Sequence, residues 1–201
     1  GATATASNIK SFSAGSTTKN LGTATLNSKA GTTTTINMSS AGSGNGFTLG
    51  GNSGVDTLTG SNYNDIITGS GGDDIISAGQ GNDTITGGAD NDDLTGGAGN
   101  DTFNVDSGID SISDLTTGDI LVVSSGATAN ATFAANFVAT NASTNAGTAN
   151  LTAAAGGKTI DMSLAGGSNG FNIIGGSGGD TLKGGGNADT FTIASSGEGN
   201  S

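Results

Sequence analysis

The sequence predicts an all-β solenoid, in which short strands stack in successive coils around a thin core. The first observation is a nine-residue period, because eight consecutive nonapeptides fill residues 51–122 without an insertion. The second is the large apolar residue at the eighth position of every repeat, which supplies one inward side chain per strand. These residues are Leu58, Ile67, Ile76, Ile85, Leu94, Phe103, Ile112 and Leu121.

Composition is the third observation. The 201 residues include 39 Gly and no Pro, with 32% hydrophobic and 4% aromatic residues, which suits a thin core better than a thick one. A disordered low-complexity linker is the alternative reading of such a composition. An unbroken register over eight repeats argues against it.

The sequence also has a second, longer repeat of about 125 residues, which includes the nonapeptides. Gly1-Ala-Thr-Ala matches Gly126-Ala-Thr-Ala, and Ile36-Asn-Met-Ser matches Ile160-Asp-Met-Ser. The sequence therefore divides into a Ser/Thr-rich β segment (1–50), a nonapeptide block (51–122), a second Ser/Thr/Ala-rich β segment (123–174) and the start of a second nonapeptide block (175–201). We expect the chain to be a piece of a longer modular array that continues beyond its C-terminal end.

The Ser/Thr-rich segments carry short alternating strands such as Thr23–Leu26, Thr35–Met38 and Thr159–Met162. We expect them to form further solenoid coils without metal sites. The stretch Ala131–Ala139 is ambiguous, because its Ala, Phe and Val residues also suit a short helix.

Within a nonapeptide, the glycines at the first, second and fourth positions are expected to adopt the positive φ angles of a tight turn. Asn or Asp at the fifth position is the next best residue for that conformation. The last three residues then form a strand, with the eighth side chain pointing inward and its neighbours outward.

The sixth position is Asp in all eight repeats, and this regularity predicts a cation. The formal charge is −12, and 13 aspartates but no lysine lie between residues 56 and 119. Carboxylates on stacked strands about 4.8 Å apart would repel by roughly 3–4 kcal/mol per pair. Hard oxygen ligands in a flexible geometry suit Ca²⁺ better than Mg²⁺. The chain has no His or Cys for zinc or soft metals.

The repeats resemble the RTX family of glycine-rich nonapeptides, Gly-Gly-x-Gly-x-Asp-x-U-x with U a large apolar residue. Close matches are Gly96-Gly-Ala-Gly-Asn-Asp-Thr-Phe-Asn104 and, in the second block, Gly175-Gly-Ser-Gly-Gly-Asp-Thr-Leu-Lys183. The resemblance implies a right-handed parallel β-roll with two nonapeptides per 18-residue coil. Alternate aspartates would then line opposite edges, with calcium ions between residues 18 apart, such as Asp56 and Asp74.

The resemblance assigns two groups of calcium ligands in this chain. The side-chain ligands are Asp56, Asp65, Asp74, Asp83, Asp92, Asp101, Asp110, Asp119, Asp180 and Asp189. The turn carbonyl ligands are Gly51, Gly60, Gly69, Gly72, Gly79, Gly81, Gly87, Gly96 and Gly99. Solvated turn aspartates without metal are the alternative, above all at the two aspartates of the second block. The repeats opened by Val105 and Asp114 depart from the motif, and we expect them to close the solenoid as a cap.

An enzyme is not expected. Ser168 and Ser177 lie in Gly-x-Ser-x-Gly strings, but the chain has no His to activate a serine. The acidic balance disfavours nucleic acid, and no apolar run is long enough to insert into a membrane. RTX proteins are exported through a one-step (type I) channel and fold outside the cell, so the resemblance implies a secreted, extracellular protein at a bacterial cell surface.

The leading functional expectation is a self-assembling, calcium-dependent component of a bacterial surface layer (S-layer). Such a structural protein contacts copies of itself, and a cell-surface glycan is a further candidate partner. Three alternatives stay open: a calcium-stiffened stalk module of an RTX adhesin, the secretion tail of an RTX enzyme or toxin, and an ice-binding solenoid. The last rests on an outward hydroxyl row at the ninth positions, including Thr59, Thr68 and Thr86.

Overall fold

The computed structural model describes residues 2–193 and shows a parallel β-solenoid. The strands of the first 125 residues are β1 (Thr3–Ile9), β2 (Ser11–Ser13), β3 (Thr23–Ser28), β4 (Thr34–Asn37), β5 (Thr48–Gly50), β6 (Asp56–Thr59), β7 (Ile66–Gly71), β8 (Ile75–Gln80), β9 (Thr84–Ala89), β10 (Asp93–Ala98), β11 (Thr102–Val105), β12 (Ile109–Ile112) and β13 (Ile120–Val123). The remaining strands are β14 (Thr128–Phe133), β15 (Phe137–Val138), β16 (Thr144–Asn145), β17 (Thr148–Ala153), β18 (Thr159–Asp161), β19 (Gly166–Gly167), β20 (Asn172–Gly175), β21 (Thr181–Lys183) and β22 (Thr190–Ile193).

The strands form three parallel sheets. A nine-stranded sheet runs β1-β3-β5-β7-β9-β11-β13-β16-β19, and a ten-stranded sheet runs β2-β4-β6-β8-β10-β12-β14-β17-β20-β22. A three-stranded sheet, β15-β18-β21, joins them towards the C-terminus. The all-β solenoid predicted from the sequence is confirmed.

Coil length changes along the solenoid. Hydrogen bonds between equivalent positions of neighbouring coils span 22 residues from Thr34 to Asp56, and 18 residues from Asp56 to Asp74. They lengthen again to 20 and 22 residues along the side-chain ladder Asn130–Asn150–Asn172. The nonapeptide block is therefore the narrowest and most regular part of the rod.

The core consists of two columns of stacked apolar side chains, one from each long sheet. The eighth residue of every nonapeptide in the first block is buried, which confirms the predicted inward position there. In the nine-stranded sheet the column is Leu26, Leu49, Ile67, Ile85, Phe103 and Leu121. In the ten-stranded sheet it is Ile36, Leu58, Ile76, Leu94, Ile112, Ala131, Leu151 and Ile173.

The two sequence units keep equivalent local structure. Asn20 donates from its side chain to the Gly46 carbonyl, and Asn145 donates likewise to the Gly170 carbonyl. Both asparagines also accept from a backbone N–H two residues on, at Gly22 and Gly147. The division of the chain at residues 50, 122 and 174 stays a prediction, and residues 194–201 of its last segment lie outside the described residues.

Two expectations are wrong. The helix alternative for 131–139 fails because β14 and β15 occupy this stretch, and Phe133 and Phe137 pack into the core with ring centroids 6.1 Å apart. The last two repeats of the block do not close the solenoid, since β12 pairs onward with β14 and β13 with β16. Among the described residues no helix is present that could cross a bilayer.

Candidate metal centre

Each sixth-position aspartate lies at the entry to a strand, where the glycine-rich turn of its repeat ends. The backbone and the apolar eighth residue hold the side chain against the solenoid rather than in water. The eight carboxylates of the first block are all buried, at no more than 2% exposure: Asp56, Asp65, Asp74, Asp83, Asp92, Asp101, Asp110 and Asp119. Asp180 and Asp189 of the second block are half-buried.

The carboxylates form two hydrogen-bonded rows. In each row the Oδ1 atom accepts the backbone N–H of the equivalent residue one coil earlier, at 2.5–3.2 Å. One row runs Thr34, Asp56, Asp74, Asp92, Asp110, and the other runs Phe47, Asp65, Asp83, Asp101, Asp119. This confirms that alternate repeats stack on the same edge.

The second carboxylate oxygen, Oδ2, is the unusual atom of these rows. Among residues 2–193, the Oδ2 atoms of five aspartates are buried and accept no hydrogen bond: Asp74, Asp83, Asp92, Asp110 and Asp180. Leaving a buried charged oxygen without a partner is costly, so such groups are normally paired or bound to a metal. Five oxygens of this kind in equivalent positions point to a bound cation.

The first glycine of a repeat makes room for this oxygen. A Cβ atom on Gly69 would lie well inside 3.0 Å of Asp74 Oδ2 and of the Gly87 carbonyl oxygen. Gly87 has the same relation to Asp92 Oδ2, and Gly96 to Asp101 Oδ2. The carboxylate thus folds back over the first glycine of its own repeat, beside a carbonyl oxygen of the next coil.

Comparison with known proteins gives one match. A model of the RTX calcium-binding nonapeptide repeat family (four copies) matches residues 50–85, 77–112 and 166–192. These segments of the chain are RTX repeats. No curated protein and no solved structure matches the chain.

RTX repeats bind calcium, and the residues of this chain fit that ion. The donors are carboxylate and carbonyl oxygens, which Ca²⁺ prefers, and the unpaired Oδ2 atoms are oriented and desolvated in advance. Within the described residues no three His, Cys, Asp or Glu side chains converge on one point. Any site in these rows therefore combines one or two carboxylates with backbone oxygens of the turns.

Burial raises the pKa values of several of these carboxylates. Desolvation raises the pKa of Asp74, Asp83 and Asp110 to about 7, and neighbouring aspartates of the same row add to the shift. It raises the pKa of Asp101 to about 6 and also raises that of Asp92. The N–H donors on Oδ1 oppose the shift without cancelling it. A divalent cation beside Oδ2 would supply the missing positive charge.

The turn glycines predicted as carbonyl ligands fall into two groups. Gly72, Gly79, Gly81 and Gly99 adopt positive φ angles, between 90° and 145°. The first-position residues Gly51, Gly60, Gly69, Gly87 and Gly96 do not, so a positive φ is the wrong reason for glycine there. At Gly69, Gly87 and Gly96 the carboxylate of the same repeat leaves no space for a Cβ, whereas the fourth repeat accommodates Ala78 at this position, so glycine is not required in every repeat.

The fifth position plays a role that sequence reasoning missed. Asn64, Asn82 and Asn100 do not adopt positive φ angles, contrary to expectation. Instead the Asn64 side chain accepts the backbone N–H of Asn82, and the Asn82 side chain accepts that of Asn100. Asp73 and Asn91 form the same ladder on the other edge. The signal was present, since an Asx side chain recurs at one position of stacked repeats.

Proposed function

We propose that this protein is a calcium-dependent extracellular structural protein that assembles into a surface layer. The observation that carries the proposal is the run of buried, unpaired Oδ2 atoms in the middle of the solenoid. Without a cation these coils retain desolvated charges with no partner, so calcium binding and folding become coupled. A protein of this kind folds where calcium is abundant, which favours the outside of the cell.

The shape of the molecule supports a structural role. Both sequence units add strands to the same two long sheets, so consecutive units lengthen one rod. The side chains that face outward from the strands are mostly Ser, Thr and Asn. A stiff rod with polar faces, repeated along a modular chain, suits a lattice component in contact with copies of itself and with a cell-surface glycan.

We propose a protein that is not an enzyme, does not bind nucleic acid and does not insert into a membrane. This proposal rests on a chain without His or Cys and with a net charge of −12. The regular spacing of the aspartates is explained by cation binding and requires no acid–base chemistry.

Electron microscopy of the purified chain tests the proposal. In millimolar calcium we expect ordered sheets that dissolve on chelation and return when calcium is restored. The matched control carries Asp74→Asn, Asp83→Asn, Asp92→Asn and Asp110→Asn, and we expect it to form no sheets at the same calcium concentration. Separate particles of the parent chain at every calcium concentration would overturn the surface-layer assignment.

A stalk module of an adhesin is the second candidate, favoured by the continuous stacking of the two units. A stalk needs stiffness but no lateral contacts. Separate rods in calcium that become flexible or shorter on chelation, measured by small-angle X-ray scattering, would favour the stalk over the layer.

A further inference from the structure

The second oxygen of the sixth-position carboxylates exists in two states. In Asp74, Asp83, Asp92, Asp110 and Asp180, Oδ2 is buried and has no donor among the described residues. In Asp56, Asp65 and Asp119, Oδ2 is buried but fully engaged by donors of the same repeat. We call the first set the unpaired aspartates and the second set the capped aspartates.

The caps are side chains and backbone groups at the start of the repeat. Asn52 donates its backbone N–H to Asp56 Oδ2 at 2.8 Å and its side-chain amide at 2.9 Å. Ser61 donates its N–H and its hydroxyl to Asp65 Oδ2, at 2.5 and 3.0 Å. Thr116 does the same for Asp119, at 2.7 and 3.1 Å.

The unpaired aspartates belong mostly to repeats that begin with a different turn. At the second position of three of these repeats, Ser70, Gly79 and Gly88 have φ angles of 89°, 114° and 118°. Asn52 and Ser61 at the same position of their repeats do not adopt positive φ. The left-handed turn leaves the carboxylate without the N–H that caps it elsewhere.

The chain contains a natural comparison between the two states. Asp56 and Asp180 occupy equivalent places in the two sequence units, and each accepts a backbone N–H on Oδ1, from Thr34 and from Lys158. The second position of the repeat is Asn52 in the first case and glycine in the second. Oδ2 of Asp56 is capped, whereas Oδ2 of Asp180 has no partner in the described part of the chain.

We infer that calcium is bound only in the coils of the unpaired aspartates, and that Asn52, Ser61 and Thr116 replace the ion at both boundaries of the block. This inference rests on the proposed calcium dependence and narrows it. It differs from the expectation that an ion lies between Asp56 and Asp74 with both as equal ligands. Asp101 belongs to neither set, and Asp114 accepts the N–H groups of Gly96 and Gly97 beside it.

The consequence within the first block is a calcium-dependent segment between two boundaries that need no ion. The capped carboxylates Asp56 and Asp65 also bond to Thr34 and Phe47 of the preceding coils. Asp119 directly precedes β13, and the pairing of β13 continues into the coils after the block. These coils hold their hydrogen bonds without an ion and offer a folded edge on which the calcium coils can form.

The test compares matched substitutions in the whole chain. Asp74→Asn and Asp92→Asn remove the charge of an unpaired aspartate, and Asp56→Asn and Asp65→Asn remove that of a capped one. Calcium stoichiometry is measured by equilibrium dialysis, and thermal unfolding in chelator by circular dichroism. We expect the first pair to lower the number of ions bound and the second pair to leave it unchanged.

A variant that is expected to gain calcium binding controls for substitutions that reduce calcium binding only because they unfold the coil. Asn52→Gly gives the first repeat the second-position residue that accompanies Asp180. We expect this variant to unfold at a lower temperature in chelator, to bind more calcium than the parent and to regain its stability in calcium.

Equal loss of ions from Asp56→Asn and Asp74→Asn would overturn the inference, as would an Asn52→Gly variant that loses stability without gaining calcium. A parent chain that binds no calcium would instead refute the proposed function itself.

Discussion

The backbone N–H of Asp74 donates a 2.8 Å hydrogen bond to Oδ1 of Asp92, the equivalent residue of the next coil. One carboxylate therefore serves two purposes. Its Oδ1 continues the backbone ladder of the solenoid, and its buried, unpaired Oδ2 is the oxygen that we propose as a calcium ligand. The same residue type at the same spacing provides both the fold and the ligand.

Substitution of Asp92 separates these two purposes. Asn retains the Oδ1 acceptor and removes the charge, whereas Ala removes both. In chelator at pH 8 we expect Asp92→Ala to be less stable than Asp92→Asn by about 1–3 kcal/mol, because the Asp74 N–H then has no acceptor. Urea unfolding followed by circular dichroism measures the difference. Equal stability of the two variants would contradict a structural role for Oδ1.

The raised pKa values predict how the calcium-free protein responds to pH. Asp74, Asp83 and Asp110 have pKa values of about 7 in the folded chain and an ordinary value of 3.8. Between these values the folded state binds more protons than the unfolded state, so stability falls as pH rises from about 4 to about 7. Denaturant unfolding in chelator between pH 4 and 8 measures this. A stability that rises with pH over this window would contradict the burial of these carboxylates.

Calcium and protons stabilise the fold through the same oxygens. Because protonation already stabilises the calcium-free fold as pH falls towards 4, the calcium concentration at half-folding should decrease as pH falls from 8 to 5. A calcium titration at several pH values, followed by circular dichroism, measures the shift. The variant with Asn at positions 74, 83, 92 and 110 is the control, and we expect its folding to depend little on either ligand.

Much of this fold could be predicted from the sequence because the repeat forces equivalent residues to stack. The eighth positions, such as Ile76 and Phe103, are buried as the period requires. The third sheet of the second unit could not be predicted. The coils there are 20–22 residues long and follow no fixed repeat length, so no sequence period indicates the extra strands. Short strands such as β15 depend on what they pack against rather than on local pattern.

The two rows of aspartates could be predicted to the residue, but the hydrogen bonding of their individual oxygens could not. The spacing of the sixth-position aspartates gives the two rows, since any parallel coil of 18 residues superposes them. It does not reveal that Asn52 and Ser61 cap their carboxylates while Gly79 and Gly88 leave theirs unpaired. For Asp83 and Asp92 the unpaired Oδ2 accompanies a positive φ angle at the second position, whereas Asp110 and Asp180 have an unpaired Oδ2 without one.

Adjacent residues Ile75 and Ile76 test the thin core. Ile76 is 1% exposed and Ile75 is 52% exposed, on opposite faces of β8. We expect Ile76→Ala to cost about 2–5 kcal/mol in calcium, because the column of apolar side chains cannot collapse around the gap. Ile75→Ala should change stability by only about 0.5 kcal/mol. Thermal unfolding of both variants provides the comparison, and similar losses would place both side chains in the core.

Gly69 and Gly71 provide the sharpest test of the metal centre, since both lie in β7 and neither has a positive φ. A Cβ on Gly69 would collide with Asp74 Oδ2 and the Gly87 carbonyl, whereas a Cβ on Gly71 meets no atom closer than 3.9 Å. Because the first must displace the carboxylate, we expect Gly69→Ala to lose about 1–3 kcal/mol of stability and to weaken calcium binding. Gly71→Ala should retain both properties of the parent. Isothermal titration with calcium and thermal unfolding measure the two effects together, and calcium affinity that is equal in the two variants would mean that the carboxylate does not need the space above Gly69.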